Sequence, residues 1–392
     1  MHIYLYITES GWALVFKRLL SFGVSIFLMC GALSVSGSAS SPQISARSAI
    51  VMIAATGEIL FEKNAYEKRG IASTTKIMTC ITAIENADLW ATTVVTAEDI
   101  TVEGTSMGLR KGDTVDLYTL LNGMLLESGN DAANVTATLV AGGSSEFAEL
   151  MNFKAYKLGM NNTCFKNPSG LTEEGHYSCA YDMALLGSYA IKNKVFRSIC
   201  SSPKSDITLC NGEARTLYNH NKLLGKYEGA FGIKTGFTKA SGRCLVSAVE
   251  RNGVVLVAVT LNAYDDWNDH IKLYDYCFPM VSCEKAKDIT QTLNVHVVNS
   301  TKSSVEASLS EDILIPYKAS VPQYTYNVYI PRFTYAPLKK GDYLGWVEVR
   351  TLEGILIKRV YVVSKESAQP QLPSPKQSFI ERIIKFIEKD RR

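Results

Sequence analysis

A serine hydroxyl is a weak nucleophile until a neighbouring base takes its proton. Three places in the chain set a lysine three residues after a serine: Ser73-Thr74-Thr75-Lys76, Ser201-Ser202-Pro203-Lys204 and Ser282-Cys283-Glu284-Lys285. On a helix that spacing brings both side chains to one face. Only the first opens an amphipathic run, with Ile77, Met78, Ile81 and Ile84 at spacings of three and four. The second carries a proline inside a Ser/Pro loop, and the third follows a proline and leads into no such run. At a helix start, Ser73 would meet the positive end of the dipole and free N–H groups, which favour a developing oxyanion. Lys76, desolvated and near other cations, would be neutral and act as the base. Taken alone, the pair reads more simply as an N-cap serine beside a solvated lysine.

Two further triplets change that weighting. Ser128-Gly129-Asn130 falls between two predicted helices, and Lys234-Thr235-Gly236 opens a strand set. Each has a bland reading: a turn with a helix cap, and a strand start with a solvated lysine. Each occurs once, and the order S-x-x-K, S-G-N, K-T-G follows the signature of penicillin-binding proteins and class A β-lactamases.

The chain resembles the D-alanyl-D-alanine carboxypeptidases, the low-molecular-weight penicillin-binding proteins. The likeness extends to Ala72–Thr79, Leu125–Ala133, Gly232–Thr238, Asn167-Pro168-Ser169-Gly170-Leu171 and Gly175-His176-Tyr177-Ser178. It covers residues 45–280 strongly and the rest in arrangement only. The resemblance implies that Ser73 attacks the carbonyl of a terminal D-Ala-D-Ala peptide while Lys76 takes its proton. Ser128 would relay that proton to the leaving amine, and Asn130 would bond the substrate backbone. Lys234 would keep Lys76 deprotonated and attract the substrate carboxylate, which Thr235 would bond; Gly236 completes that triplet. The backbone N–H groups of Ser73 and Phe237 would form the oxyanion hole, each contributing about 3 kcal/mol. No cofactor or metal is implied. The implied partners are the peptidoglycan stem peptide and β-lactams, which would acylate Ser73.

Departures narrow the reading. S-G-N replaces S-D-N, and no E-x-x-x-N segment lies between Asn167 and Tyr177 to supply a deacylating glutamate. A weak β-lactamase or an endopeptidase on the same fold stays an alternative, as does a non-catalytic wall-binding protein. His176 reads as a loop residue without chemistry. Arg243 reads equally as a carboxylate ligand and as a solvated strand-edge residue. Near Asp269-His270 many relatives would carry an arginine, so His270 leaves that part of the carboxylate site open.

Elements must hold these groups. Strands are expected at 49–54 and 58–61 with Thr56-Gly57 as their turn, and at 242–249 and 254–261 joined by Glu250-Arg251-Asn252-Gly253. Helices are expected from 74 onward, then at 117–126, 131–140, 145–158, 181–191 and 265–277. From about 288 only short strands follow. The expected fold is an α/β (α+β) penicillin-binding/β-lactamase-like transpeptidase domain, an antiparallel sheet with surrounding helices, at 45–284. A small all-β domain at 288–366, a linker at 367–376 and an amphipathic helix at 377–392 complete it.

The termini imply export. Lys17 and Arg18 precede an apolar run from Leu19 to Val35 and the small residues 36–40, the layout of a signal peptide at 1–39. In the last segment Phe379, Ile380, Ile383, Ile384 and Ile387 share a helical face bordered by Lys and Arg, which suits a helix lying on a membrane surface. The expected location is the outer face of the cytoplasmic membrane. A net charge of +3 gives no argument for a nucleic-acid partner. The nine cysteines show no C-x-x-C spacing and read mostly as buried free thiols.

Overall fold

The structure is a computed structural model that describes residues 41–286 and 293–371 and, beyond them, Ile383 alone. The expected signal peptide and the face of the expected C-terminal helix lie outside the described residues, Ile383 excepted.

The first region begins with strands β1 (Ser48–Ile53) and β2 (Ile59–Lys63). A 3-10 turn, Ala72–Thr75, runs straight into helix α1 (Lys76–Asn86). Next come β3 (Thr92–Val94), α2 (Ala97–Ile100), β4 (Thr114–Asp116) and α3 (Leu117–Asn122). Helices α4 (Asn130–Ala141), α5 (Ser144–Lys157), α6 (Ala180–Ala190) and α7 (Lys194–Ser201) follow. Strands β5 (Lys204–Thr208), β6 (Ala214–Tyr218), β7 (Ala230–Thr238), β8 (Gly242–Arg251) and β9 (Val254–Leu261) and helix α8 (Asp266–Cys277) close the region.

Five of these strands form one antiparallel sheet in the order β2-β1-β9-β8-β7. The near-continuous apolar sequences of β8 and β9 suit strands covered on both faces. One apolar core includes Ile50, Met52, Val246, Val257 and Val259 from the sheet together with Ile77, Leu120, Leu125 and Met183 from helices. A second core joins Ala49, Val51, Leu256 and Ala258 to Leu273, Tyr274 and Cys277 of α8. The sheet is therefore filled from both sides, and β7 is left at its edge.

The β8–β9 hairpin is tighter than expected. Pairing runs on to Arg251 opposite Val254, leaving Asn252-Gly253 as a two-residue turn with φ of 50° and 78°. Positive φ at both positions matches strand twist, which is why Asn-Gly is favoured there. In this region α2, α7 and the two small hairpins β3–β4 and β5–β6 were not read from the sequence. α7 does carry a helical spacing, Val195, Phe196, Ile199 and Cys200, but over only eight residues; α2 and the hairpins have too few apolar residues to set a period.

The second region is built from β10 (Ser282–Lys285), β11 (Leu293–Val298), β12 (Ser304–Leu309), β13 (Leu314–Tyr317), β14 (Tyr324–Tyr329), β15 (Phe333–Tyr335), β16 (Tyr343–Thr351) and β17 (Leu356–Ser364). Six of them make a sheet in the order β14-β16-β17-β12-β11-β15, antiparallel except where β11 meets β15. Its core holds Val295, Val305, Ile315, Val347, Val360 and Val362. Two expected boundaries shift. β10, assigned from sequence to the first region, pairs with β13. Ala368, assigned to the linker, is buried and exchanges backbone hydrogen bonds with Leu338 at 2.8 and 2.9 Å. Backbone pairing keeps these residues in the β region, so any linker begins after them.

Candidate active site

The 3-10 turn before α1 carries Ser73. Its predecessor Ala72 has φ of 47°, in the left-handed region that a side chain populates at a cost of order 1 kcal/mol or more. Packing holds it there. A Cβ added at Gly170 would lie 2.0 Å from the Ala72 carbonyl oxygen, so the 167–171 loop needs glycine at its closest approach. The same loop is clipped to α1 by Thr79 Oγ1, which donates to the Pro168 carbonyl at 2.6 Å. The other two Ser-x-x-Lys matches lack this setting. Ser201 ends α7 while Lys204 starts β5, and Ser282–Lys285 is strand β10. Neither pair shares a helical face.

Lys76 is fully buried at the first position of α1. Its Nζ lies 3.2 Å from Ser73 Oγ, 2.6 Å from Asn130 Oδ1 and 2.6 Å from the Ser169 carbonyl oxygen. Burial, then the nearby Lys234, holds its pKa well below the ordinary lysine range. A neutral amine has two hydrogens and one lone pair. Two partners, Asn130 Oδ1 and the Ser169 carbonyl, only accept, so they take the hydrogens. The lone pair is left to Ser73, whose hydroxyl alone of the three can donate.

The helix at 117–126 expected from sequence ends early. After α3 the chain makes a π turn, Gly123–Glu127, and then Ser128 with φ of 61°. π turns of this kind are frequent at functional sites. The turn delivers Ser128 and Asn130 to one cleft. Asn130 Nδ2 donates to the Glu103 carbonyl at 2.7 Å, so both ends of its amide are engaged. A contact to a substrate backbone would replace the Glu103 bond.

Asp131 carries no role in the sequence reading, yet it anchors the loop that follows Gly104 and Thr105 of the cleft lining. Its buried carboxylate accepts from Ser106 Oγ and from the backbone N–H groups of Met107, Gly108 and Leu109, at 2.6 to 3.1 Å. The only signal in sequence was its place beside the S-G-N triplet.

Edge strand β7 supplies the third side. Lys234 is buried, and its ammonium donates to the Thr235 carbonyl at 3.2 Å. Burial lowers its pKa to about 8. A Cβ at Gly236 would lie 3.0 Å from the backbone nitrogens of Ser73 and Thr74, so glycine lets β7 approach the nucleophile turn. Phe237 sits exposed at the rim, paired across the strands with Arg243.

The resulting cleft has a volume of about 480 Å³. It brings together Ser73, Ser128, Asn130, Thr235, Gly236 and Phe237. Sequence reasoning missed Thr105, His220, Lys222 and Trp267, which also line it together with Leu171; only the His220-Asn221-Lys222 run had a chemical texture that could have been noticed.

The three undecided residues separate. Arg243 lines the cleft, its guanidinium held by Asp266 Oδ1 at 2.8 and 2.9 Å and set over the Trp267 ring. His270 is on neither wall. It is fully buried, with Nδ1 2.7 Å from Ser247 Oγ and Nε2 2.9 Å from Thr260 Oγ1. His270 therefore offers nothing to a ligand in the cleft. His176 takes a loop role: Nδ1 accepts from Lys166 N–H at 3.1 Å, which places the proton on Nε2, 2.9 Å from Thr75 Oγ1. Burial pushes its pKa down to about 4.

All eight cysteines among the described residues are free, five of them buried. No His, Cys, Asp and Glu cluster able to hold a metal occurs among the described residues.

Comparison with known proteins agrees with this geometry. The family model for D-alanyl-D-alanine carboxypeptidase, peptidase S11, matches residues 36–265. The chain is 31% identical over 332 residues to D-alanyl-D-alanine carboxypeptidase DacF of Bacillus subtilis (strain 168), covering 82% of this chain and 85% of the relative. The crystal structure of D-alanyl-D-alanine carboxypeptidase from Mycobacterium tuberculosis H37Rv aligns at TM-score 0.59 and 32% identity, over 62% of this chain and 95% of that one. DacD from Francisella tularensis, at 24% identity and TM-score 0.57, covers 87% of this chain and all of its own, and speaks for the fold alone.

Proposed function

From its membership of the peptidase S11 family, the D-alanyl-D-alanine carboxypeptidases, we infer that this chain is a serine-type hydrolase that removes the terminal D-alanine from peptidoglycan stem peptides. The observation that carries the mechanism is the lone pair of Lys76, left free for Ser73 by two acceptor-only partners. Ser73 Oγ attacks the carbonyl carbon of the penultimate D-Ala and passes its proton to Lys76. The tetrahedral oxyanion is met by the N–H groups of Ser73 and Phe237. Collapse breaks the peptide bond, and the leaving amine takes the proton by way of Ser128. Water then hydrolyses the ester on Ser73. Lys234 and Thr235 hold the terminal carboxylate, and Asn130 positions both Lys76 and the peptide backbone. β-Lactams acylate the same serine.

Mass spectrometry of a penicillin adduct tests the assignment. The adduct is expected on the peptide containing Ser73 and absent in Ser73→Ala. Labelling of Ser73→Ala at the wild-type level would overturn the nucleophile. Wild-type protein releasing no D-alanine from a D-Ala-D-Ala peptide would overturn the activity while leaving the fold intact.

The enzyme works outside the cytoplasm, held at the membrane surface by residues 377–392. The support is the signal-like run at the N-terminus and the apolar face of the last segment with its basic border. No helix among the described residues is long and apolar enough to cross a membrane. Deleting 377–392 is expected to move the protein from the membrane to the soluble fraction with D-alanine release unchanged. Retention on membranes after the deletion would discard the anchor.

A further inference from the structure

A second cleft, of about 540 Å³, lies between the two regions and is slightly larger than the cleft at Ser73. One wall is the end of α6 and the start of α7; the other is β13 and β17. Its charges do not balance. Arg197 is paired with Glu250 at 2.5 Å and Lys358 with Glu311 at 3.0 Å, while Glu348 serves both Arg350 and Arg359. Lys192 donates to the Leu356 carbonyl at 3.1 Å, and among the described residues neither it nor Lys194 has a carboxylate partner. Five cations, Lys192, Lys194, Arg197, Lys358 and Arg359, thus line the cleft with two carboxylates, Glu250 and Glu311. Ser188 Oγ, on a residue only 7% exposed, is buried there without a hydrogen-bond partner. Burial, and after it the nearby Arg350, also depresses the Lys192 pKa.

The rest of the lining is apolar: Ala55, Ile191, Val255, Leu314 and Ile357. A bare inorganic anion would leave those side chains uncovered. A short peptide with several carboxylates matches both the cations and the alkyl surface, and the volume is no smaller than that of the cleft already assigned to a peptide.

We propose that this inter-region cleft is a second binding site for a multiply carboxylated peptide of the cell-wall polymer, distinct from the peptide being cleaved. The proposal rests on the reading of the substrate as a wall peptide. It would tether the enzyme to a neighbouring stem on the same polymer while Ser73 works on another.

The test uses the full chain with Ser73 acylated by benzylpenicillin, which closes the catalytic cleft. The probe is a short fluorophore-tagged peptide bearing two free carboxylates and a C-terminal D-alanine, followed by fluorescence anisotropy. Binding to the acylated protein is expected to persist, to weaken with salt, and to fall roughly tenfold or more in Lys192→Glu/Lys194→Glu. The acylation rate of that variant is expected to match wild type, which also reports that it folds. Should the variant fail to fold, hydrogen exchange on the acylated wild-type protein replaces it, with protection on peptide addition expected at 188–197 and 356–359. Loss of all peptide binding on acylation, an unaffected lysine variant, or no protection at those segments would overturn the site. Displacement by inorganic phosphate or a glycerol-phosphate polymer at lower concentration than by peptide would overturn the peptide assignment. Failure here with D-alanine still released leaves the carboxypeptidase activity standing.

Discussion

Ser73 and Lys76 stand 3.2 Å apart, and the protonation state of Lys76 decides whether that contact does chemistry. Lys76→Arg puts a permanent cation where the amine is neutral and cannot supply a lone pair, because a guanidinium stays protonated. The rate of acylation by penicillin is expected to fall by at least about 10²-fold, with some loss of folding stability from the buried charge. Lys234 sets the other limit. Its pKa of about 8 keeps it charged at neutral pH, so turnover of a D-Ala-D-Ala peptide is expected to decline as pH rises through 8. A kcat/KM profile flat to pH 10 would remove Lys234 from carboxylate binding. At this scale the sequence carried much of the site, because Ser73, Ser128, Asn130 and Lys234 announce themselves by residue type and order. Asp131 and Arg243 do not. What each does depends on partners far off in the chain: Asp131 on the 106–109 loop and Arg243 on Asp266 of α8. His270 was left open at this level for the same reason, since a linear neighbourhood cannot say which face of α8 meets the sheet.

Elements turn those side chains into a cleft through a few close approaches. Gly170→Ala would drive a Cβ to 2.0 Å from the Ala72 carbonyl and force an alanine to φ of 83°. Substantial destabilisation in urea unfolding is expected, with slowed acylation because the Ser73 turn must move. Asp131→Ala strips the acceptor from two buried backbone donors, Met107 and Leu109, and a loss of about 3 kcal/mol is expected from the same measurement. Helix periodicity and the Asn-Gly turn made α1, α4, α5 and the β8–β9 hairpin readable. The π turn at 123–127 was hidden because its sequence, Gly-Met-Leu-Leu-Glu, continues the helical pattern. Tertiary packing sets the extra residue, and with it the left-handed Ser128.

The whole molecule answers to acid through two histidines buried neutral. His176 and His270 have pKa values pushed by burial to about 4 and about 3. The unfolded chain, with ordinary histidines, binds more protons between those values and about 6.5. Stability is therefore full above about pH 6.5 and is lost as pH falls toward 4 and 3. Thermal unfolding followed across this range is expected to show that decline, and a shallower one in His270→Gln. An unchanged slope would mean that His270 does not titrate on unfolding. The two-region layout was legible from the change to short strands after 288, but the cleft between the regions was not. Lys192 and Leu356 are 164 residues apart, and no local pattern joins them.

One consequence of the buried lysine pair reaches the solution around the protein. With Lys76 depressed far below the ordinary range and Lys234 near 8, a carboxylate entering the cleft stabilises the ammonium of Lys234 and lifts its pKa. Above about pH 8, ligand binding then draws a proton from the buffer. Calorimetric binding enthalpies measured at pH 8.5 in buffers of different ionisation heat should differ, and the difference should vanish near pH 6, where Lys234 is already protonated in the free enzyme.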